Sequence, residues 1–168
     1  MTHSDRQVGV PRNIIARWLS ETKNVQNDFE RLKQIPLSRG YNHIFTNTKG
    51  EIFDIECSTT KQVLLKPASP YAHSNHFLSE DMKSFEASED ATGTIERYTS
   101  ACALVKPQMT AEEIIQLNSN STNGDNLSVF NKRTIGKMVF DLENFVAKVW
   151  LKRENDLGWI DYKLDFVS

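Results

Sequence analysis

His73, Asn75 and His76, all within the stretch Tyr71–Met82 (YAHSNHFLSEDM), are side chains of the kind that chemistry uses. An asparagine amide held rigid at the end of a strand can donate N–H to a developing oxyanion, worth ~3 kcal/mol in a transition state. The plainer reading of the stretch is a solvated strand exit, with Asn75 bonding local backbone in a turn. The apolar run Val63–Leu65 leads in, and a polar loop over Ser79–Gly93 is expected to lead out. Polar side chains crowded at the end of a strand form the rim of many active sites.

Other groups are weaker candidates. His73 and His76 are three positions apart and by themselves offer too few ligands for zinc, so no metal is expected. Ser74 adjoins His73, but no GxSxG elbow surrounds it. Cys57 is a nucleophile by residue type. It ends a predicted strand, and no basic residue follows until Lys61, so nothing local would lower its pKa; it reads as structural. Arg97 falls beside an apolar helical stripe, either half-buried against carboxylate or carbonyl partners or simply solvated. The chain has no GxxxxGK loop, no His pair at i, i+4 and no CxxC, and no cofactor is expected.

The 168 residues suit one domain. A net charge of −2 gives no electrostatic case for nucleic acid or anionic membrane. No apolar run approaches the ~20 residues that span a bilayer, and the opening MTHSDRQVGVPRN lacks a signal-peptide core. Cys57 and Cys102 are far apart and read as free thiols in a reducing compartment, which points to the cytoplasm.

These candidates need elements to position them. Pro11 suits a first helical turn, and Ile14, Ile15, Trp18 and Leu19 follow as one stripe. Asn24 can cap a second helix carrying Val25, Phe29, Leu32 and Ile35, stopped by Pro36. YNHIFTN, EIFDIEC and KQVLLKP alternate as strands and predict an antiparallel meander over Tyr41–Lys66. In it Phe53, Ile55 and Cys57 share one face and Asp54 and Glu56 the other. A helix over Thr94–Val105 should bury Ile95, Tyr98, Cys102 and Val105. Thr110–Glu113 forms a capping box for a fourth helix, and Asn118–Asn126 reads as loop. RTIGKMVFDL and NFVAKVWLKR form a hairpin turning at Glu143-Asn144, and GWIDYKLDFVS adds a last strand. Helices, strands, helices, strands in that order argue α+β with antiparallel sheets.

GVPRNIIARWLSE, YNHIFTNTKGEIFDIE, YAHSNHFLS, TIERY and RTIGKMVFDLENFVAKVW, in this order over about residues 8–152, resemble the C-terminal half of the acyl-CoA:6-aminopenicillanic acid acyltransferase family. Its members are linear-amide C–N hydrolases and acyltransferases of the N-terminal-nucleophile (Ntn) superfamily. HSNHFLS, similar to the family's H-T-N-H-F-like motif, is the most specific piece.

The resemblance implies an αββα sandwich, two stacked antiparallel sheets with helices outside. It implies a cysteine that becomes the first residue of a chain and attacks an amide or thioester, with its own α-amino group as base. Asn75 matches the oxyanion donor. Arg97 matches the arginine of an S-x-x-R-like motif, with Thr94 in place of the serine. Asn42, His73 and His76 match polar, substrate-side positions. The family's nucleophile lies upstream of the GVPR segment, and neither Cys57 nor Cys102 matches it. The expectation is therefore a single partial domain over residues 1–168. Its partners would be a small amide or acyl-CoA-like substrate and a chain carrying the nucleophile half, or further copies of itself, with no nucleic acid and no membrane. Two alternatives stand beside this: a non-catalytic remnant that binds a ligand or partner, and an unrelated small α+β binding module.

Overall fold

The structure is a computed structural model and describes residues 7–86 and 92–165. Its class is α+β: helices with two three-stranded antiparallel sheets. The chain divides into two compact units, Met1–Ser69 with His73–Ala91 and Pro70–Ala72 with Thr92–Ser168. Among the described residues no helix is long and apolar enough to cross a membrane.

In the first unit, α1 (Arg12–Leu19) follows Pro11, whose fixed φ and missing N–H fit a helix start. Ile15 and Leu19, one turn apart, are buried. Ile14, expected in the same stripe, is 60% exposed, because the core takes only the i, i+4 pair, flanked by Trp18. In α2 (Val25–Leu32) the Asn24 Oδ1 accepts the Asn27 N–H at 2.9 Å, as an N-cap should. The helix ends before Ile35. Gln34 and Ile35 donate to carbonyls three residues back, a tightened last turn forced by the constraint Pro36 places on the residue before it.

Strands β1 (Asn42–Thr46), β2 (Ile52–Cys57) and β3 (Gln62–Leu65) form the expected meander in the order β1-β2-β3. The β1–β2 turn uses Gly50 at φ +75°, where a side chain would be strained, and Asn47 Oδ1 accepts the N–H groups of Lys49 and Glu51. Register places His43, Ile55 and Leu64 side by side, and Asn42, Glu56 and Val63 on the opposite face. Ile55, Cys57, Phe45 and Leu64 pack with Ile15, Leu19, Leu32 and Leu37 into the unit's core. The second face carries Asn42, Asp54 and Glu56, the last two fully buried.

Burial drives the pKa of His43 down to about 4. A histidine kept neutral by folding binds its proton more readily in the unfolded chain. Its contribution is complete above pH ~6.5 and is lost as pH falls toward about 4. Urea melts should lose up to about 3 kcal/mol across that window from this residue. A His43→Gln variant should lack that part of the slope. An unchanged slope in the variant would remove His43 as its source.

The expected loop after Ser79 is in part ordered: Glu80–Phe85 forms a 3-10 helix pinned by fully buried Met82. The rest of that prediction, residues 87–91, lies outside the described residues.

In the second unit, α3 (Thr92–Leu104) buries none of its residues. The expected stripe is present in the sequence, but Ile95 is 47% exposed and Cys102 is exposed. The helix packs on α5 (Gly124–Leu127), a single turn too short to cover it. That turn also interrupts the loop expected over Asn118–Asn126. α4 (Ala111–Leu117) has the full capping box between Thr110 and Glu113.

β4 (Gly136–Asp141), β5 (Val146–Leu151) and β6 (Ile160–Lys163) form a second meander. At the β4–β5 turn Asp141 Oδ1 accepts the N–H groups of Glu143 and Asn144. One face presents Met138, Phe140, Ala147, Val149, Leu151, Ile160 and Tyr162. Met138, Phe140 and Tyr162 are each more than half exposed. The other face holds Lys137, Val139, Lys148 and Trp150, and α4 packs against β4.

Candidate functional site

The polar face of the first sheet is organised by two carboxylates. In β2 the apolar residues Phe53, Ile55 and Cys57 alternate with Asp54 and Glu56, so period two sends both acids to one side. Both are fully buried, and a buried carboxylate must be paired and hydrogen-bonded.

Glu56 meets that demand through the chain that follows β3. Its Oε1 accepts the Leu78 N–H at 2.5 Å, its Oε2 accepts the Ser79 N–H at 3.0 Å, and His73 Nε2 lies 2.9 Å from Oε1. Asp54 Oδ2 lies 3.7 Å from the same ring nitrogen, and Asn42 Nδ2 donates to Asp54 Oδ1. The other nitrogen, His73 Nδ1, is 2.5 Å from the Ser74 carbonyl oxygen. Both ring nitrogens therefore lie against oxygen atoms. Its side chain is 2% exposed.

Burial alone would raise the Glu56 carboxyl. The hydrogen bonds from His73, Leu78 and Ser79 and the charge of His73 outweigh that, and the group titrates below the ordinary glutamate range. Ligand atoms of Asp54, Glu56 and His73 come within 4.8 Å of one another, close enough to share an ion. Both oxygens of Glu56 are already taken by backbone N–H groups. The arrangement works as a hydrogen-bonded clamp on the chain that follows β3.

The clamp holds the candidate residues in place. Glu56 grips the chain at residue 73 and again at 78–79, so the segment between is a closed loop. Asn75 stands exposed at its crest. Asn42, His73 and Asn75 line one cavity of about 180 Å³ together with Tyr41, Ile44 and Ser74. His76 turns toward Ser74, with Nδ1 3.1 Å from the hydroxyl.

Arg97 belongs to the second unit. Its Nη1 donates to the Gly93 carbonyl at 2.7 Å, one turn back on its own helix. Burial and the neighbouring Arg133 lower its pKa.

Sequence reasoning placed Asp54 and Glu56 on the polar face but gave them no task. The available signal was two acids alternating inside an otherwise apolar strand, on the same face as Asn42.

Cys57 points into the core and is 1% exposed. Burial, with Asp54 and Glu56 nearby, pushes its thiol far up in pKa, so it supplies no thiolate. A thiol-exchange reagent such as DTNB should titrate Cys102 in the native chain and Cys57 only after denaturation. Prompt labelling of both thiols would contradict this burial.

A family model described as acyl-coenzyme A:6-aminopenicillanic acid acyl-transferase matches residues 1–156. The chain belongs to that family. The match covers strands β1 to β5, stops before β6, and spans both units. No curated protein and no solved structure matches the chain.

Proposed function

We propose that this chain forms the oxyanion-binding and substrate-facing part of an Ntn-type amidohydrolase or acyltransferase. Its substrate is a linear amide or an acyl thioester, and the attacking cysteine comes from another polypeptide segment. The observation that carries the reading is the cavity of Asn42, His73 and Asn75, built on the buried Asp54–Glu56–His73 clamp. Asn75 donates its amide N–H to the oxyanion. Asn42 and His73 shape the substrate side, and His76 supports the crest through Ser74.

Two features support a nucleophile from elsewhere. Cys57 is sealed in the core with a raised pKa. Cys102, though exposed, lies on α3 in the second unit, and its neighbour Tyr98 is no base at neutral pH. The apolar face of β4–β6 supports a partner that brings a sheet, as the layers of an αββα sandwich require.

The purified chain alone should turn over neither a penicillin-like amide nor an aminoacyl amide. Turnover that disappears on Cys57→Ala would make Cys57 the nucleophile and sink the reading. The chain alone should also bind the hydrophobic dye ANS and self-associate, through Met138, Phe140 and Tyr162. A partner segment carrying the cysteine should abolish both and restore turnover. A dye-negative monomer would favour a self-sufficient binding module instead.

A further inference from the structure

In the second unit, and separate from the cavity described above, Lys137 carries its ammonium into a ring of aromatic side chains. Its Nζ lies 4.4 Å from the centroid of Phe130, 4.5 Å from that of Trp150 and 5.2 Å from that of Trp159. All three distances are inside the range in which a ring face attracts a cation.

The rings are held by contacts of their own. Trp150 is the register partner of Lys137 across β4 and β5, so the two share a face. Trp150 is 7% exposed, and its Nε1–H donates to Asn155 Oδ1 at 3.1 Å. Phe130 stands edge-on to Trp150, with centroids 5.6 Å apart and planes at 79°. The ammonium makes one hydrogen bond, to Ser119 Oγ at 3.0 Å. Among the described residues no carboxylate pairs with it. The electrostatic partners of this cation are ring quadrupoles. Burial lowers its pKa, and the three ring faces act against that cost.

We propose that Phe130, Trp150 and Trp159 form an ammonium-binding cage, filled in cis by Lys137 and able to take a small alkylammonium once that side chain is withdrawn. Three faces around one positive centre select charge combined with an apolar surface. The ligand class is therefore methylated ammonium, of which tetramethylammonium and choline are the simplest probes. In the native chain the lysine competes, and the apparent affinity falls by the fraction of time the cage stands open.

The test uses the full chain with Lys137→Ala. Tryptophan fluorescence is followed during titration with choline and with its uncharged carbon isostere, 3,3-dimethylbutan-1-ol, at constant ionic strength. Choline should bind saturably with a dissociation constant of about 1–50 mM. The isostere should bind at least tenfold more weakly, as should choline to the unsubstituted chain. Lys137→Met, which refills the cage with an apolar side chain, should also lose at least tenfold. Equal binding of the isostere, equal binding by the unsubstituted chain, or no saturable binding to a folded Lys137→Ala chain would each overturn the proposal. If that variant does not fold, the unsubstituted chain decides: after reductive ¹³C-methylation, the Lys137 methyl resonance must be displaced upfield by ring currents. A resonance at the position of exposed lysines would overturn the cage.

Discussion

Glu56→Ala should lower the melting temperature of the chain by roughly 6–20 °C. The substitution removes the acceptor that His73 and two backbone N–H groups share, and each buried donor left unpaired costs about 1–3 kcal/mol. In a chain of this size each kcal/mol corresponds to about 2–4 °C. His73 would lose its nearest carboxylate, and the Leu78 and Ser79 N–H groups would lose their acceptors. Glu56→Gln keeps the volume and one acceptor but turns an NH₂ toward a backbone donor, so its loss should be intermediate. The sign of the pH dependence follows from the lowered pKa. A carboxyl held below its ordinary value stabilises the fold above that value, and the contribution disappears as pH falls through the folded pKa. The unsubstituted chain should weaken below pH ~4.5, and Glu56→Ala should flatten that limb. A melting temperature for Glu56→Ala within about 2 °C of the parent would mean that the clamp carries no load.

The second large effect concerns rate. In an enzyme reconstituted with a cysteine-bearing partner, Asn75→Ala should lower kcat by ~10²–10³, the usual loss for one oxyanion donor. KM should change little, because the donor engages mainly in the transition state. Melting should also be nearly unchanged, since Asn75 is exposed at the crest and the clamp residues remain. His73→Ala should cost less kcat than Asn75→Ala and more stability. An unchanged kcat in Asn75→Ala would reduce that residue to a turn former.

How far these features could be read from the sequence depends on the range of the interaction that creates them. The Asn24 cap and the Thr110–Glu113 box are local hydrogen bonds, and their residue types announce them. The Tyr41–Lys66 meander follows from alternation, because one face of the sheet had to meet α1 and α2. Burial of the α3 stripe was not legible. A helix can carry apolar spacing, but whether Ile95 and Cys102 are covered depends on what lies opposite, and the second unit offers only a single turn. The 3-10 helix at Glu80–Phe85 was hidden for a similar reason, because its polar composition gives no sign that Met82 reaches the interior. The candidate site was half legible. His73 and Asn75 drew notice by type, whereas the task of Glu56 rests on backbone donors 22 and 23 positions away in sequence.

The meanders also bear on how quickly the chain folds. In neither sheet does a strand skip its neighbour, and the most distant register partners, Val146 and Lys163, are 17 positions apart. Loop-closure entropy for such pairings is small, and topologies with low contact order fold faster than β-folds built from distant pairings. Each sheet can therefore form from its own segment of chain. During synthesis the first meander is complete some 70 residues before β4 is translated. The face of Met138, Phe140 and Tyr162 is assembled last, and from then on it stands open to whichever sheet arrives first.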